Sequence, residues 1–451
     1  MASLLNLLSS LNLEEQPSLG MAISFPPGDS VERNLLNAAF KGNLPRFKRL
    51  LKQLDVKDGL AETISSIRDE HGRNCFHAAA AGGGIDVCKY LLEDVKLDIE
   101  CTSLNLGQTP LHYAIKFNCY RSAAYLLQNG ANPNAALSDG FTPLHIAAAN
   151  VAGSKKLTKL LISKGANPNA VGDFETPLMI AASHANKDCL EVLLDNHADP
   201  NFISCLGFSP LTTSIVVESI ECVKLLLKAG ADPNLKGPMK VSPLGCAAVK
   251  GLPEIIKCLL TAGADPNDND TLSGILPVEE AALNHNHEAV MILLPVTTPI
   301  PTVSHWSYAG ILRHLHSEES QEERRKQMNE DLLFSKSKGE ELMNAKDYRG
   351  AIYPYTKVID AYPDDADALS NRSFCWAQLG TGDEALEDAL SCIRLRPNWP
   401  KAYYRAGVAW MLLKDFKKAA DAFYDGWKLD LEDNELECSF WDAIKALRLQ
   451  G

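Results

Sequence analysis

One short phrase keeps returning in this 451-residue chain, and it constrains the fold more than any other feature. Thr109-Pro110-Leu111-His112 comes back as Thr142-Pro143-Leu144-His145, then as Thr176-Pro177-Leu178, Ser209-Pro210-Leu211, Ser242-Pro243-Leu244 and Leu276-Pro277-Val278, at steps of 33 or 34 residues. A second punctuation runs out of phase with it: "GANPN" at 130 and 165, "HADPN" at 197, "GADPN" at 230 and 263. A fixed period of this length marks stacked helical units, each of which buries only one side and needs its neighbour for the other. Proline opens each first helix at no cost because its missing N–H would be unpaired there, and the preceding Thr or Ser hydroxyl takes up a free backbone donor. The Gly falls just past the second helix, where a left-handed residue closes the end.

This pattern resembles the ankyrin repeat over about 270 residues. Asn74-Cys75-Phe76-His77 is a looser earlier copy, and "NLLNAAFKGNLPRFKRLL" from Asn34 reads as an N-terminal cap, giving seven or eight repeats over residues 31–294. Residues 1–30 read as a flexible tail. Leu4, Leu8 and Leu11 have helical spacing, but no basic segment precedes them and Glu14 and Glu15 follow, unlike a transit peptide.

Periodicity stops near Leu294, where "PVTTPIPTV" places three prolines in seven residues. Residues 295–330 are therefore expected to be a linker passing into the mixed-charge helix "SEESQEERRKQMNED", with two separately folded modules on either side. Beyond it a second period of 34 appears: Gly339, Ser373 and Gly407; Ala351, Ala385 and Ala419; Pro363 and Pro397. Small residues let paired helices approach closely, and the prolines end the second helix of each pair. This resembles the tetratricopeptide repeat, three copies over 331–431, with 432–451 as a capping helix presenting Leu436, Phe440, Ile444 and Leu447 on one face. The expected fold class is an all-α repeat protein, an ankyrin solenoid followed by a tetratricopeptide superhelix.

Some tetratricopeptide domains bind heat-shock chaperones through a carboxylate clamp that grips the free C-terminus of a peptide ending Glu-Glu-Val-Asp. The pattern of that family is Lys-x-x-Gly-Asn, Ser-Asn-Arg and Lys-x-x-x-Arg in successive repeats. The resemblance maps here onto "KSKGE" with Lys336, "SNRS" with Asn371, and "KAYYR" with Lys401 and Arg405. It departs at Glu340, where the family has Asn. One turn after Lys336, Glu340 is expected to pair with that lysine and to repel an incoming carboxylate. The site is then either a weakened clamp or one in which Glu340 reads a basic residue on a different ligand. In the ankyrin half, Leu137, Val171, Ile203, Leu206 and Met239 stand at hairpin tips where charged residues are usual. They are either an apolar partner surface or packing between neighbouring tips.

Composition excludes other classes. Lys and Arg number 44 against 57 Asp and Glu, with no basic block to neutralise a run of phosphates, so no nucleic-acid partner is expected. No apolar run is long enough to span a bilayer. The twelve cysteines form no C-x-x-C pair and read as buried free thiols. His77, His112 and His145 share one repeat position, which fits hydrogen bonds between repeats, not convergence on a metal; "HNHE" at 285 and "RHLH" at 313 lack ligand partners at a recognisable spacing. Gly82-Gly83-Gly84 lacks the Lys-Ser/Thr ending of a phosphate loop and reads as a turn. No cofactor and no enzyme site are expected.

These features point to a non-enzymatic adaptor of co-chaperone type, its tetratricopeptide module binding chaperone tails and its ankyrin array an unidentified client. The alternative is a signalling or regulatory scaffold unrelated to chaperones. The layout resembles ankyrin and tetratricopeptide proteins common in land plants. The expected location is the cytoplasm, with the nucleus as a second site.

Overall fold

The computed structural model describes residues 30–54, 59–104, 107–150, 154–172, 175–204, 207–237, 240, 242–269 and 274–450. Residues 1–29 of the expected N-terminal tail, with Leu4, Leu8 and Leu11, lie outside them, as do Leu206 and Met239 of the proposed tip surface. The described residues form an all-α repeat protein, and no helix among them is long and apolar enough to cross a membrane.

Eight helix pairs follow one another from Val31–Phe40 with Leu44–Leu51 to Pro277–Leu283 with His287–Leu293. Each first helix stacks on the first helix of the next pair, which closes a single apolar core from Leu35 to Leu315. The sequence punctuation accounts for the ends. Thr176 and Ser209 accept the Met179 and Thr212 backbone N–H groups, and a proline follows each. At Leu276 no side-chain acceptor exists, and Glu279 substitutes by taking the Leu276 N–H at 2.9 Å. Gly82 is required for contact with the cap: a Cβ there would lie 1.7 Å from the Phe40 carbonyl oxygen.

Two polar devices tie the repeats together. His77 Nε2 bonds the Gln108 carbonyl at 3.0 Å and His145 Nε2 bonds that of Glu175 at 3.3 Å, while Nδ1 of His112 and His145 accepts the Thr109 and Thr142 N–H. At the hairpin tips runs an asparagine ladder. Asn134 donates to Gly165 O and accepts from Asn167 N–H, both at 2.8 Å. Asn169, Asn201 and Asn234 repeat this against His197 and Asp199, Gly230 and Asp232, and Gly263 and Asp265. The final Asn of each "PN" phrase is thus a bridge to the following repeat.

The ladder does not stop where the expected linker begins. Asn267 Oδ1 accepts the Thr298 N–H at 2.7 Å, and the Trp306 indole donates to Leu294 O at 3.0 Å. Tyr308–Leu315 then stacks on Pro277–Leu283 as another first helix would, with Ile311 and Leu315 buried. Residues 295–317 therefore extend the array, and the prolines shape its last hairpin. The charged segment is the start of a 27-residue helix, Glu318–Asn344, which crosses the expected boundary at 330 without interruption. Asp331 on that helix lies 3.4 Å from Lys240 and 3.9 Å from Lys357. Tyr353, on the next helix, is buried within the ankyrin core. The two modules share an interface, contrary to the expectation of separate bodies.

Three hairpins follow: Glu318–Asn344 with Tyr348–Ala361, Ala366–Gln378 with Gly382–Leu395, and Pro400–Leu412 with Phe416–Leu429. Asn434–Gln450 closes them through Leu436 and Ala443, with Phe440 and Ile444 beside them, although Leu447 remains 36% exposed. The small residues sit at helix crossings, since a Cβ on Gly407 would come within 2.4 Å of Phe423. The Ser373 hydroxyl donates to Ala385 O at 2.7 Å. The cysteines are not uniformly buried as expected: Cys101, Cys119 and Cys258 are partly exposed and Cys438 is exposed.

Two measurements follow from this packing. Native-state thermolysin digestion is expected to spare residues 295–317, and an early cut there would show that the segment is a linker after all. Burial lowers the His77, His112 and His145 imidazoles from 6.5 to about 4. At pH 7 these rings are neutral folded and unfolded; below about 6.5 the unfolded chain binds protons that the native state refuses. Stability is therefore lost as pH falls toward 4, by roughly 2 kcal/mol per ring at pH 5. Urea unfolding at pH 7 and pH 5 should show the decrease.

Candidate functional site

The first helices of the three C-terminal hairpins carry the five residues singled out by sequence. On Glu318–Asn344, Lys336 and Glu340 are one turn apart; on Ala366–Gln378 stands Asn371; on Pro400–Leu412 stand Lys401 and Arg405.

Lys336 does not pair with Glu340 as expected. Its amine bonds both oxygens of Asp365 at 2.8 and 3.1 Å, tying the first hairpin to the N-terminus of the second. Asp365 also caps that helix by accepting the Ala368 N–H. The cause is anchoring: Asp365 is held in place as a helix cap within reach of the lysine, whereas Glu340 is exposed and not fixed by any such bond. Asn371 donates to the Tyr355 hydroxyl at 3.3 Å. Burial, then Cys375 and then the Glu340 carboxylate raise the Tyr355 phenol.

Arg405 and Lys401 have no carboxylate within ion-pair range among the described residues. The Arg405 guanidinium lies 4.5 Å from the Phe374 ring centroid, and its Nε is buried without a hydrogen-bond partner. Lys401 is 5.8 Å from the Trp399 ring. Burial lowers both groups, and for Lys401 the next cause is repulsion from Arg405. Asp367 acts on Lys401 and Glu435 on Arg405, but neither carboxylate comes within ion-pair range, so both cations are partly desolvated without a bonded counter-charge, which costs free energy that an arriving anion offsets.

Arg372, beside Asn371 in the same phrase, does something else. It forms a fork on Asp388 at 2.8 and 2.7 Å and donates to Thr356 at 2.9 Å, all in a part-buried crossing. It is structural. Phe374 is a site residue that sequence reasoning passed over; its spacing of three from Asn371 on one helix is the signal that could have found it. Tyr348 packs edge-on against it at 5.6 Å.

The ankyrin tip surface fares differently. Leu137 is buried, its N–H bonded to Phe141 O, so it does not belong to an exposed stripe. Val171 is 44% exposed and Ile203 partly so. The histidines of 285–288 and 313–316 are engaged locally, His287 against the Tyr308 ring and His316 with Leu312 O.

Residues 35–136 and 144–237 match the family described as Ankyrin repeats (3 copies), and 240–271 match Ankyrin repeat. Residues 35–271 carry ankyrin repeats. The chain is also 37% identical over 101 residues to a Triticum aestivum protein named Hsp70-Hsp90 organizing protein, covering 22% of this chain and 17% of that one. It is 33% identical over 102 residues to small glutamine-rich tetratricopeptide repeat-containing protein 2 of Mycosarcoma maydis, 23% of this chain and 29% of that one. The match thus spans less than a third of either relative. The human ASB11 ankyrin repeat domain aligns over 51% of this chain and 100% of its own, with 26% identity and a TM-score of 0.45.

The contrast between the two arginines is measurable. Arg372→Ala leaves Asp388 buried and unpaired and should destabilise the C-terminal hairpins by about 3 kcal/mol. Lys401→Ala, which breaks no bond, should change stability by less than about 0.5 kcal/mol. Urea unfolding of both variants distinguishes the roles; equal losses would mean that Lys401 is structural too.

Proposed function

We propose that the protein is a non-enzymatic adaptor whose ankyrin array holds one protein while the groove of its C-terminal hairpins takes the chain-terminal carboxylate of another. The observation that carries this reading is the pair Lys401 and Arg405, one turn apart on Pro400–Leu412, neither of them with a carboxylate in ion-pair range among the described residues. A terminal carboxylate supplies the missing acceptors, and each charge-assisted bond contributes roughly 1.5 to 3 kcal/mol. Residues 331–451 carry 16 Lys and Arg against 21 Asp and Glu, so the cationic spot is local and disfavours extended polyanions. Similarity to proteins named for organising Hsp70 and Hsp90 supports heat-shock chaperone tails ending Glu-Glu-Val-Asp as candidate ligands and a co-chaperone-like role. The alternative, a regulatory scaffold without chaperones, is favoured by Glu340 and by the commitment of Lys336 to Asp365.

Calorimetric titration of the full chain with a Glu-Glu-Val-Asp peptide, as free acid and as amide, tests the reading. The free acid should bind at least tenfold more tightly, a difference of about 1.4 kcal/mol. Lys401→Ala and Arg405→Ala should each weaken the acid and flatten its salt dependence. Equal affinity for acid and amide would sink the carboxylate reading.

A further inference from the structure

The groove has an anionic end as well as a cationic one. Glu340 is exposed, and the cations nearest to it in sequence are engaged elsewhere: Lys336 with Asp365 at 2.8 Å, Lys338 with Glu341 at 2.8 Å. No ion pair involves Glu340 among the described residues, just as none involves Lys401 or Arg405. The two ends are joined by one helix. Asn371 bonds Tyr355, whose ring packs against Gly339, the residue before Glu340, and Phe374, three residues further on, lies under Arg405. Glu340 and Arg405 stand on helices either side of Ala366–Gln378, and packed helix axes lie about 8–10 Å apart, so an extended ligand at about 3.3 Å per residue needs on the order of three to six residues to touch both.

From this arrangement we infer that the groove selects protein C-termini in which the free carboxylate is accompanied by a Lys or Arg side chain among the last few residues. The inference rests on the carboxylate reading above and names the ligand class of that same site. An all-acidic tail meets Lys401 and Arg405 favourably but brings its other carboxylates toward Glu340. A tail with a nearby basic side chain satisfies both ends, and its cation is drawn by the acidic excess of the module. Specificity then comes as much from the repulsive element, Glu340 against acid, as from the attraction of base. A Glu-Glu-Val-Asp tail still binds through the shared terminal carboxylate, but it is the weaker ligand.

The test uses the full chain and labelled hexapeptides ending in Asp, with Lys or Glu placed in turn at each of the three preceding positions, every peptide as free acid and amide. Fluorescence polarisation should show at least one Lys free acid binding tenfold or more tightly than its Glu counterpart. Glu340→Gln should remove that preference, weakening the Lys peptide and strengthening the Glu peptide; because Glu340 is exposed and in no ion pair among the described residues, the variant keeps its fold. If Lys and Glu acids bind alike at every position, or the preference survives Glu340→Gln, the inference is overturned while the carboxylate reading stands, provided amidation still abolishes binding. If amides bind as well as acids, both are overturned together.

Discussion

Everything in this molecule depends on the one-sided burial of helix pairs. A pair such as Pro177–Ser183 with Lys187–Asp195 has no interior of its own; Leu178, Ala181, Leu190 and Leu193 become buried only because pairs lie on both sides. Stability is then a property of neighbours, so an open end is a liability that the chain must close. At the N-terminal side the cap Val31–Leu51 does this, fitting closely enough that Gly82 has no room for a side chain. At the C-terminal side the closure is less conventional. Tyr308–Leu315 covers the last ankyrin pair, and the helix that follows continues into the second module.

That continuity turns two solenoids into one. A 27-residue helix is about 40 Å long, and Glu318–Asn344 is held at both ends: Arg324 bonds the Leu315 carbonyl near its start, and Lys336 bonds Asp365 further along. Asp331, between them, sits within reach of one lysine from the ankyrin side and one from the hairpin side. Tyr353 packs its ring into the ankyrin core. A ligand in the groove and a ligand on the ankyrin array would therefore be held in a fixed relation, which suits an adaptor.

Much of this was legible in the sequence, and the reason is local chemistry. Thr-Pro-Leu-His and Gly-Ala-Asp-Pro-Asn encode caps and turns whose requirements lie within a few residues, so period, helix starts and the role of His145 follow from the string. What was not legible depends on partners far away in sequence. Three prolines after Leu294 suggest a break, but whether the segment is free or packed is decided by Asn267 reaching Thr298 and Trp306 reaching Leu294. Likewise Lys336 has an acid one turn away, and the i,i+4 rule favours Glu340; Asp365, 29 residues on, takes it because helix capping has already fixed that carboxylate in place. Leu137 is apolar at a tip for packing, and only its burial says so.

The charges of the hairpin module separate into two kinds by a single criterion, whether the fold itself supplies the counter-charge. Arg372 is forked onto Asp388, Arg396 onto Asp367 and Lys336 onto Asp365, and each of these pairs is complete before any ligand arrives. Lys401, Arg405 and Glu340 are among the charges that no such pair takes up. Had Glu340 reached Lys401, the groove would have neutralised itself; helix geometry puts them on the first and third hairpins, with Asn371 and Phe374 between. The unpaired charges are therefore kept apart by the same stacking that holds the solenoid together, and a ligand carrying both signs is what brings their separate attractions into one complex.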